Sequence, residues 1–143
     1  MGIAGKSLAE LIIVAAIISI GVAMAGPTYK NFYTKAEGRT AAAEIASTLR
    51  MARHLAMARR ERLLVRFDLS ERIITVRPED SGGVLNIYRY GDKGVVLEEP
   101  TAGLELSFHP SGRAASASTI VLYDADHRRT TITVSLTGRV VIS

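Results

Sequence analysis

The order of apolar and polar residues divides the chain into an apolar stretch, a segment with helical periodicity and a series of short alternating segments. No charged residue occurs from Leu11 to Gly26, and this stretch is rich in Ile, Val and Ala. As a helix rising about 1.5 Å per residue it would cover roughly 24 Å, and Leu8 and Ala9 extend it to about the thickness of a bilayer core. The pattern therefore predicts a membrane or targeting helix at the start of the chain.

Beyond Pro27 the helical pattern resumes. Four apolar residues follow one another at spacings of four, three and four, which places them on one helix face: Ile45, Leu49, Ala52 and Ala56. We therefore expect one long amino-terminal helix that continues to about Arg62 and packs this stripe onto the rest of the protein. Gly38 is a candidate kink or weak point within it.

After Arg62 the period changes to that of short strands separated by turns. The predicted strands are Leu63–Leu69, Arg72–Arg77, Val84–Tyr90, Val95–Leu97, Leu104–Phe108, Thr119–Tyr123, Thr130–Ser135 and Arg139–Ile142. Turn signals lie at Gly82-Gly83, Gly91-Asp92, His109-Pro110-Ser111-Gly112 and Thr137-Gly138. The pattern predicts an α+β fold in which a long amino-terminal helix, its first half transmembrane, packs on an antiparallel β-sheet domain.

Composition narrows the chemistry that is available. The chain of 143 residues contains no cysteine, which excludes disulfides, thiolate catalysis and cysteine-ligated metals. Once the apolar stretch is set aside, roughly 115 residues remain, enough to form a core without covalent staples. The three histidines are far apart in the sequence, and no nucleophile elbow or zinc-helix motif is present. We therefore expect neither enzymatic activity nor a cofactor.

An acid, Glu10, stands at the edge of the apolar run and has to be explained. A charged side chain in hydrocarbon costs several kcal/mol, so Glu10 requires a positive partner if the helix spans a membrane. Three general interpretations of this region are open. A phosphate loop ending at Gly5-Lys6-Ser7 lacks the preceding glycine and strand. A secretory signal cleaved after Ala23-Met24-Ala25 gives the acid no role, and an uncleaved signal anchor is the remaining general alternative.

The start of the chain resembles the class III signal of type IV pilins and type II secretion pseudopilins. The resemblance rests on Gly5, the sequence Lys6-Ser7-Leu8-Ala9-Glu10, the apolar run and Pro27, with Tyr29 and Phe32 suited to a membrane interface. It implies that a prepilin peptidase cleaves after Gly5 and methylates the new amino terminus at Lys6. It also implies that Glu10, the fifth mature residue, meets the amino terminus of a neighbouring subunit during filament assembly.

Two features depart from that family pattern. The first mature residue would be Lys6 where the family usually has Phe or Met, and the leader Met1 to Gly5 lacks the customary basic residues. We expect Lys6 itself to supply the positive charge on the inner side of the membrane, and its unusual identity to slow processing or methylation.

Three later segments are similar to the GspH/FimT family of minor pseudopilins and minor pilins. They are Leu49-Arg50-Met51-Ala52-Arg53-His54-Leu55-Ala56, Phe108-His109-Pro110-Ser111-Gly112 and Thr137-Gly138-Arg139-Val140-Val141. The resemblance implies a leader at residues 1–5, a transmembrane half-helix at 6–26, a soluble half-helix at 27–62 and a β-rich periplasmic domain at 63–143. It also implies a subunit of the inner membrane that joins other pilins or pseudopilins, either in type II secretion or in a type IV pilus.

A basic segment of the helix offers a second candidate surface. Arg50, Arg53 and His54 fall opposite the apolar stripe, so they form either a solvated helix face or a surface for an acidic partner or DNA. DNA-binding members of the FimT-like group carry a Gly-Arg-x-Arg signature near the end of the chain. Here the segment is Gly138-Arg139-Val140-Val141, which keeps Arg139 and lacks the second arginine. This departure favours secretion or assembly over DNA uptake.

Asp124, Asp126 and His127 are the only compact cluster of metal-ligand residue types in the sequence. Oxygen donors of this kind suit calcium. The cluster lies between two predicted strands, where aspartate also stabilises turns through its side chain. We favour the turn and predict no metal site.

Overall fold

A computed structural model describes residues 7–143, and within that range it leaves the side chains of residues 26–35 undescribed. The described chain separates into two compact units, which divide between Tyr33 and Thr34. The predicted processing residues Gly5 and Lys6 lie outside the described residues, as do the side chains of Pro27, Tyr29 and Phe32.

Helix α1 extends from Leu8 to Arg59 and contains 52 residues. The prediction of one long amino-terminal helix is therefore confirmed. Its end falls three residues before the predicted Arg62, because Arg60 adopts a left-handed backbone conformation with φ of 54°. A left-handed residue directly after the last turn is a common way for a helix to stop.

The carboxy-terminal unit contains eight strands and one short helix of the 3-10 type. The strands are β1 Leu63–Asp68, β2 Ile73–Pro78, β3 Asn86–Arg89, β4 Val96–Leu97, β5 Glu105–Phe108, β6 Ser118–Tyr123, β7 Arg129–Val134 and β8 Val140–Ile142. Each falls within about two residues of a predicted strand, because alternation of buried and exposed positions is the sequence signal of a half-buried strand.

These strands form two antiparallel sheets of four strands each. Sheet A has the order β3-β2-β1-β5, and sheet B has the order β4-β6-β7-β8. In sheet A, Val65 of β1 lies opposite Val76 of β2 and Leu106 of β5, and all three side chains are buried. The predicted α+β fold with an antiparallel β-sheet domain is confirmed, and the division of that domain into two sheets was not part of the prediction.

A single hydrophobic cluster joins the helix to both sheets. The predicted stripe on α1 is confirmed, because Ile45, Leu49, Ala52 and Ala56 are all fully buried. Sheet A contributes Phe67 and Phe108, and sheet B contributes, among others, Ile120, Leu122 and Ile132. Small residues on the helix allow the strands to approach its backbone closely, and packing of this kind supplies most of a helix's stability in a folded domain.

Gly38 is a point of close packing and not simply a weak point. A Cβ atom at Gly38 would lie 2.9 Å from Cβ of Asp124, which sits in the turn between β6 and β7. Real Cβ atoms do not approach so closely, so glycine is required for this contact between helix and turn.

Candidate functional site

The amino-terminal helix segment carries the first candidate site. Leu8–Ala25 has a mean hydropathy of 2.5 and is long and apolar enough to cross a membrane. Its large apolar side chains are exposed, for example Ile12 and Ile17. Glu10 is exposed as well and lies in the first turn of the helix. The segment thus presents an apolar surface, with one carboxylate close to its start.

The second candidate site is the predicted basic surface of Arg50, Arg53 and Arg139. It is not simply a solvated helix face, because two of these arginines bond to the backbone of the domain. Arg53 is partly buried, and its Nε donates a hydrogen bond to the carbonyl of Gly112 at 2.9 Å. Arg50 is exposed, yet one of its terminal nitrogens donates to the carbonyl of Val140 at 3.1 Å. Both arginines therefore hold parts of the domain that are distant in sequence.

The Arg53 contact lies where two turns meet. Gly112, in the turn after β5, and Gly138, in the turn before β8, both have positive φ, of 82° and 80°. A Cβ atom at Gly138 would collide with the Gly112 carbonyl oxygen and lie 2.8 Å from Arg53 Nε. A Cβ atom at Gly112 would lie 2.6 Å from the sulfur of Met57. The three segments that resemble the GspH/FimT family thus converge at one point, with glycine required on both turns.

Arg50 caps an edge of sheet B. Thr131 of β7 and Ser143 donate backbone hydrogen bonds to each other, and the N–H of Ser135 donates to the carbonyl of Arg139. In an antiparallel pair, hydrogen-bonded and non-hydrogen-bonded positions alternate along the strand. Val140, next to Arg139, is therefore at a non-hydrogen-bonded position, and its carbonyl points away from β7. The guanidinium of Arg50 donates to this outward-pointing carbonyl. It thereby partly covers β8, the edge strand of sheet B, whose outer backbone groups have no neighbouring strand.

Arg139 is exposed, and its backbone N–H donates to the Ser135 hydroxyl at 3.2 Å. A shallow cleft of about 330 Å³ lies near this turn, lined by His109, Ser111, Arg113, Ala114, Ala115 and Leu136. His54, the remaining member of the basic segment, is exposed on α1. The possible role of Arg50, Arg53 and Arg139 toward an acidic partner or DNA stays a prediction.

A third group of polar residues attaches α1 to sheet A. The Tyr88 hydroxyl donates to Oε2 of Glu44 at 2.6 Å, and Nζ of Lys93 lies 3.4 Å from Oε1 of the same carboxylate. Burial raises the pKa of Tyr88, and the hydrogen bond to Glu44 and its negative charge raise it further. The phenol therefore stays protonated at neutral pH and serves as a hydrogen-bond donor.

Asp124, Asp126 and His127 form the turn between β6 and β7, and the side chain of Asp124 stabilises this turn as predicted. Oδ1 of Asp124 accepts hydrogen bonds from the backbone N–H groups of Asp126 and Arg128, both at 2.9 Å. His127 has a positive φ of 58°, as expected at a tight turn. Over residues 7–143, no group of three or more acidic or histidine side chains is arranged to hold a metal ion.

Sequence reasoning missed one basic group, which lies on the solvent side of sheet A. Arg66, Arg77 and Arg89 come from three different strands, and strand pairing places them on the same face. The alternation of buried and exposed residues in β1 and β2 is the signal that places Arg66 and Arg77 outward. Their association with Arg89 depends on the register of β3, which the sequence does not specify.

Comparisons with known proteins agree with this architecture. The crystal structure of the type IV minor pilin FimU from Pseudomonas aeruginosa is similar with a TM-score of 0.65 and 16% sequence identity, covering 78% of this chain and 92% of that one. The minor pseudopilin EpsH from the type 2 secretion system of Vibrio cholerae is similar with a TM-score of 0.59 and 16% identity, covering 75% of this chain and 96% of that one.

No curated protein matched the sequence. The family model described as type II transport protein GspH matches residues 41–138, which include the buried half of α1, the seven strands β1 to β7, and both glycine turns. That match covers more than half of the sequence and includes the point where Arg53, Gly112 and Gly138 meet. The chain therefore belongs to the GspH family.

Proposed function

We propose that this chain is a minor pilin-like structural subunit of a type II secretion pseudopilus and helps to initiate or cap filament assembly for protein secretion. The observation that carries the proposal is Glu10, an exposed carboxylate on the exposed apolar helix segment Leu8–Ala25, in a chain whose folded domain is of the GspH family. A structural role of this kind needs no catalytic group.

The proposed maturation follows from the class III signal at the start of the sequence. Prepilin peptidase would cleave after Gly5 and methylate Lys6, leaving residues 6–26 as the transmembrane half of the helix. Residues 27–62 would form its soluble half, and residues 63–143 a domain on the periplasmic side of the inner membrane. Before assembly the subunit would thus be a single-pass protein of that membrane.

Glu10 gives the proposal its physical basis. A carboxylate in hydrocarbon is disfavoured unless a positive group meets it, and cleavage at Gly5 would create an α-amino group at Lys6. Pairing the Glu10 carboxylate with the amino terminus of a neighbouring subunit would neutralise two charges that are each costly alone. Docking into a filament would then be favoured over remaining single in the membrane.

A minor subunit of a type IV pilus, acting in assembly or in DNA uptake, is the second candidate. The fold shared with the type IV minor pilin FimU supports it. Two features favour secretion or assembly over DNA uptake. The second tail arginine of the DNA-binding signature is replaced by Val141, and Arg50 and Arg53 use donor groups on backbone carbonyls of their own chain.

The proposal is tested with the full chain in the cells that produce it, by comparing Glu10→Ala with Ser19→Ala. Ser19 is a matched control, because its hydroxyl donates to the Ala15 carbonyl of the same helix and makes no other hydrogen bond within the described residues. We expect Glu10→Ala to remain in the membrane fraction at normal amount but to fall about tenfold or more in the filament fraction. Normal incorporation of Glu10→Ala would contradict the proposal.

A further inference from the structure

The solvent side of sheet A carries a surface that the proposed function does not use. We call it the outer arginine face, and it consists of Arg66, Ile73, Thr75, Arg77, Ile87 and Arg89. Thr75 lies opposite Arg66 on one side and Ile87 on the other, and Ile73 lies opposite Arg89. Directly opposed residues of antiparallel strands project to the same side, so these side chains share one face.

This face is concave at its centre. A cleft of about 320 Å³ is lined by Arg66, Asp68, Ile73, Thr75 and Arg77. Nε of Arg77 is buried and has no hydrogen-bond partner within the described part of the chain. A guanidinium with its Nε withdrawn from water gains more from an added charged partner than a fully hydrated one does.

The arginines of this face form no close ion pair with the described part of the chain, although the charge of Arg66 contributes to lowering the pKa of Asp68. Among the described residues, no carboxylate lies within ion-pair distance of Arg66, Arg77 or Arg89. Asp68 is the nearest acid in the cleft, but its Oδ1 already accepts bonds from Ser70 and Glu71. Glu105 lies opposite Arg66 in the register, without an ion pair.

Apolar side chains lie between the arginines on the outer arginine face. Ile87 is 49% exposed, and Ile73 is partly exposed within the cleft. A duplex phosphate backbone would gain nothing from these isoleucines. Protein interfaces, in contrast, combine arginine with buried apolar contacts at their centres.

We propose that the outer arginine face is a docking surface for an acidic surface of a partner protein. Carboxylates of the partner would pair with the guanidinium groups of Arg66, Arg77 and Arg89, and its apolar side chains would cover Ile73 and Ile87. Arginine suits this role because its planar donors bind carboxylates at two points. The assignment rests on the folded domain alone, so it stands or falls independently of filament assembly through Glu10.

The test measures binding of fluorescein-labelled decaglutamate to the full chain in detergent micelles by fluorescence anisotropy at low salt. One variant replaces Arg66, Arg77 and Arg89 by alanine, and a matched control replaces Arg39, Arg113 and Arg128, three exposed arginines elsewhere, by alanine. Both variants lose the same net charge. We expect roughly tenfold weaker binding in the first variant and less than about a twofold change in the control.

Equal losses in the two variants would overturn the proposal, because they would show attraction to net charge alone, and so would absence of binding by the wild type. A labelled DNA duplex is measured in parallel. Loss of duplex binding in the face variant with decaglutamate binding unchanged would also overturn it, in favour of nucleic acid. Thermal unfolding of each variant checks that it is folded. The binding test is then repeated without altering Arg77, by comparing the double variant Arg66→Ala/Arg89→Ala with the double variant Arg113→Ala/Arg128→Ala.

Discussion

Nε of Arg53 lies 2.9 Å from the carbonyl oxygen of Gly112, to which it donates a hydrogen bond across 59 positions of sequence. The same carbonyl packs against the backbone of Gly138 in the turn before β8. A helix side chain and two glycine turns thus fix the end of the chain onto α1. The three segments that resemble one family thus meet at this contact.

The first prediction concerns Gly138. Gly138→Ala imposes a left-handed conformation on a residue with a side chain and drives its Cβ into the Gly112 carbonyl, so we expect a loss of about 3 kcal/mol in the free energy of unfolding. Gly94→Ala is the control, because Gly94 has a φ of 64° but open space around it, and should cost about 1 kcal/mol. Urea denaturation of the full chain in detergent measures both, and equal losses would show that the contact is unimportant.

The second prediction concerns Arg53. Arg53→Ala leaves the buried Gly112 carbonyl without its donor and should lower the free energy of unfolding by about 2 kcal/mol. Arg39→Ala, at an exposed position of the same helix, should change it by less than about 0.5 kcal/mol. The same proteins are titrated with duplex DNA. If Arg53→Ala lost DNA binding and kept full stability, Arg53 would be a ligand contact and the structural account would be wrong.

The third prediction concerns Tyr88 and Glu44 at alkaline pH. Because the folded pKa of Tyr88 is raised above its usual value of 10.0, its contribution to stability is complete below pH 10 and is lost as pH rises through the folded pKa. Glu44→Gln removes the negative charge, so we expect Tyr88 to ionise at lower pH and the alkaline loss of stability to shrink. Ultraviolet titration of tyrosinate, with Tyr88→Phe subtracted, measures the pKa. An unchanged titration would refute the role of Glu44.

The fourth prediction concerns Asp68 at acid pH. Hydrogen bonds from the Glu71 N–H and the Ser70 hydroxyl hold the pKa of Asp68 below its usual 3.8. A depressed pKa gives stability that is present above pH 3.8 and is lost as pH falls through the folded value. Asp68→Asn should therefore be less stable than the wild type at neutral pH, and the difference should disappear in acid. Asp80→Asn, in an exposed loop, is the control, and a difference independent of pH would contradict this account.

The sequence was sufficient for the elements of the fold because each one leaves a local signal. Ile45 and Leu49 repeat with the helical period, and β1 alternates buried and exposed residues along its length. The division into two sheets could not be predicted, because it depends on long-range pairing such as Val65 with Leu106. The end of α1 was missed by three residues because the left-handed turn at Arg60 has no glycine to mark it.

The candidate sites were predictable only where a residue differs in polarity from the residues next to it in the sequence. Glu10 is conspicuous as a charge beside an apolar run, whereas the environment of Arg50 depends on a carbonyl 90 positions away. Gly38 illustrates the same limit. Its sequence suggests a weak point in a helix, but its role is set by the distant Asp124, which leaves no room for a side chain.

The most direct test of the account uses the absence of cysteine in the sequence. A single cysteine at Ala43, which is exposed on α1 next to the buried Ala42, is cross-linked in intact cells. Mass spectrometry then identifies the trapped partner and the mature amino terminus together. We predict a chain that begins at methylated Lys6 and is joined to a pseudopilin; a pilin partner would identify the type IV pilus instead. A chain that begins at Gly26, with no pilin-like partner, would contradict the account.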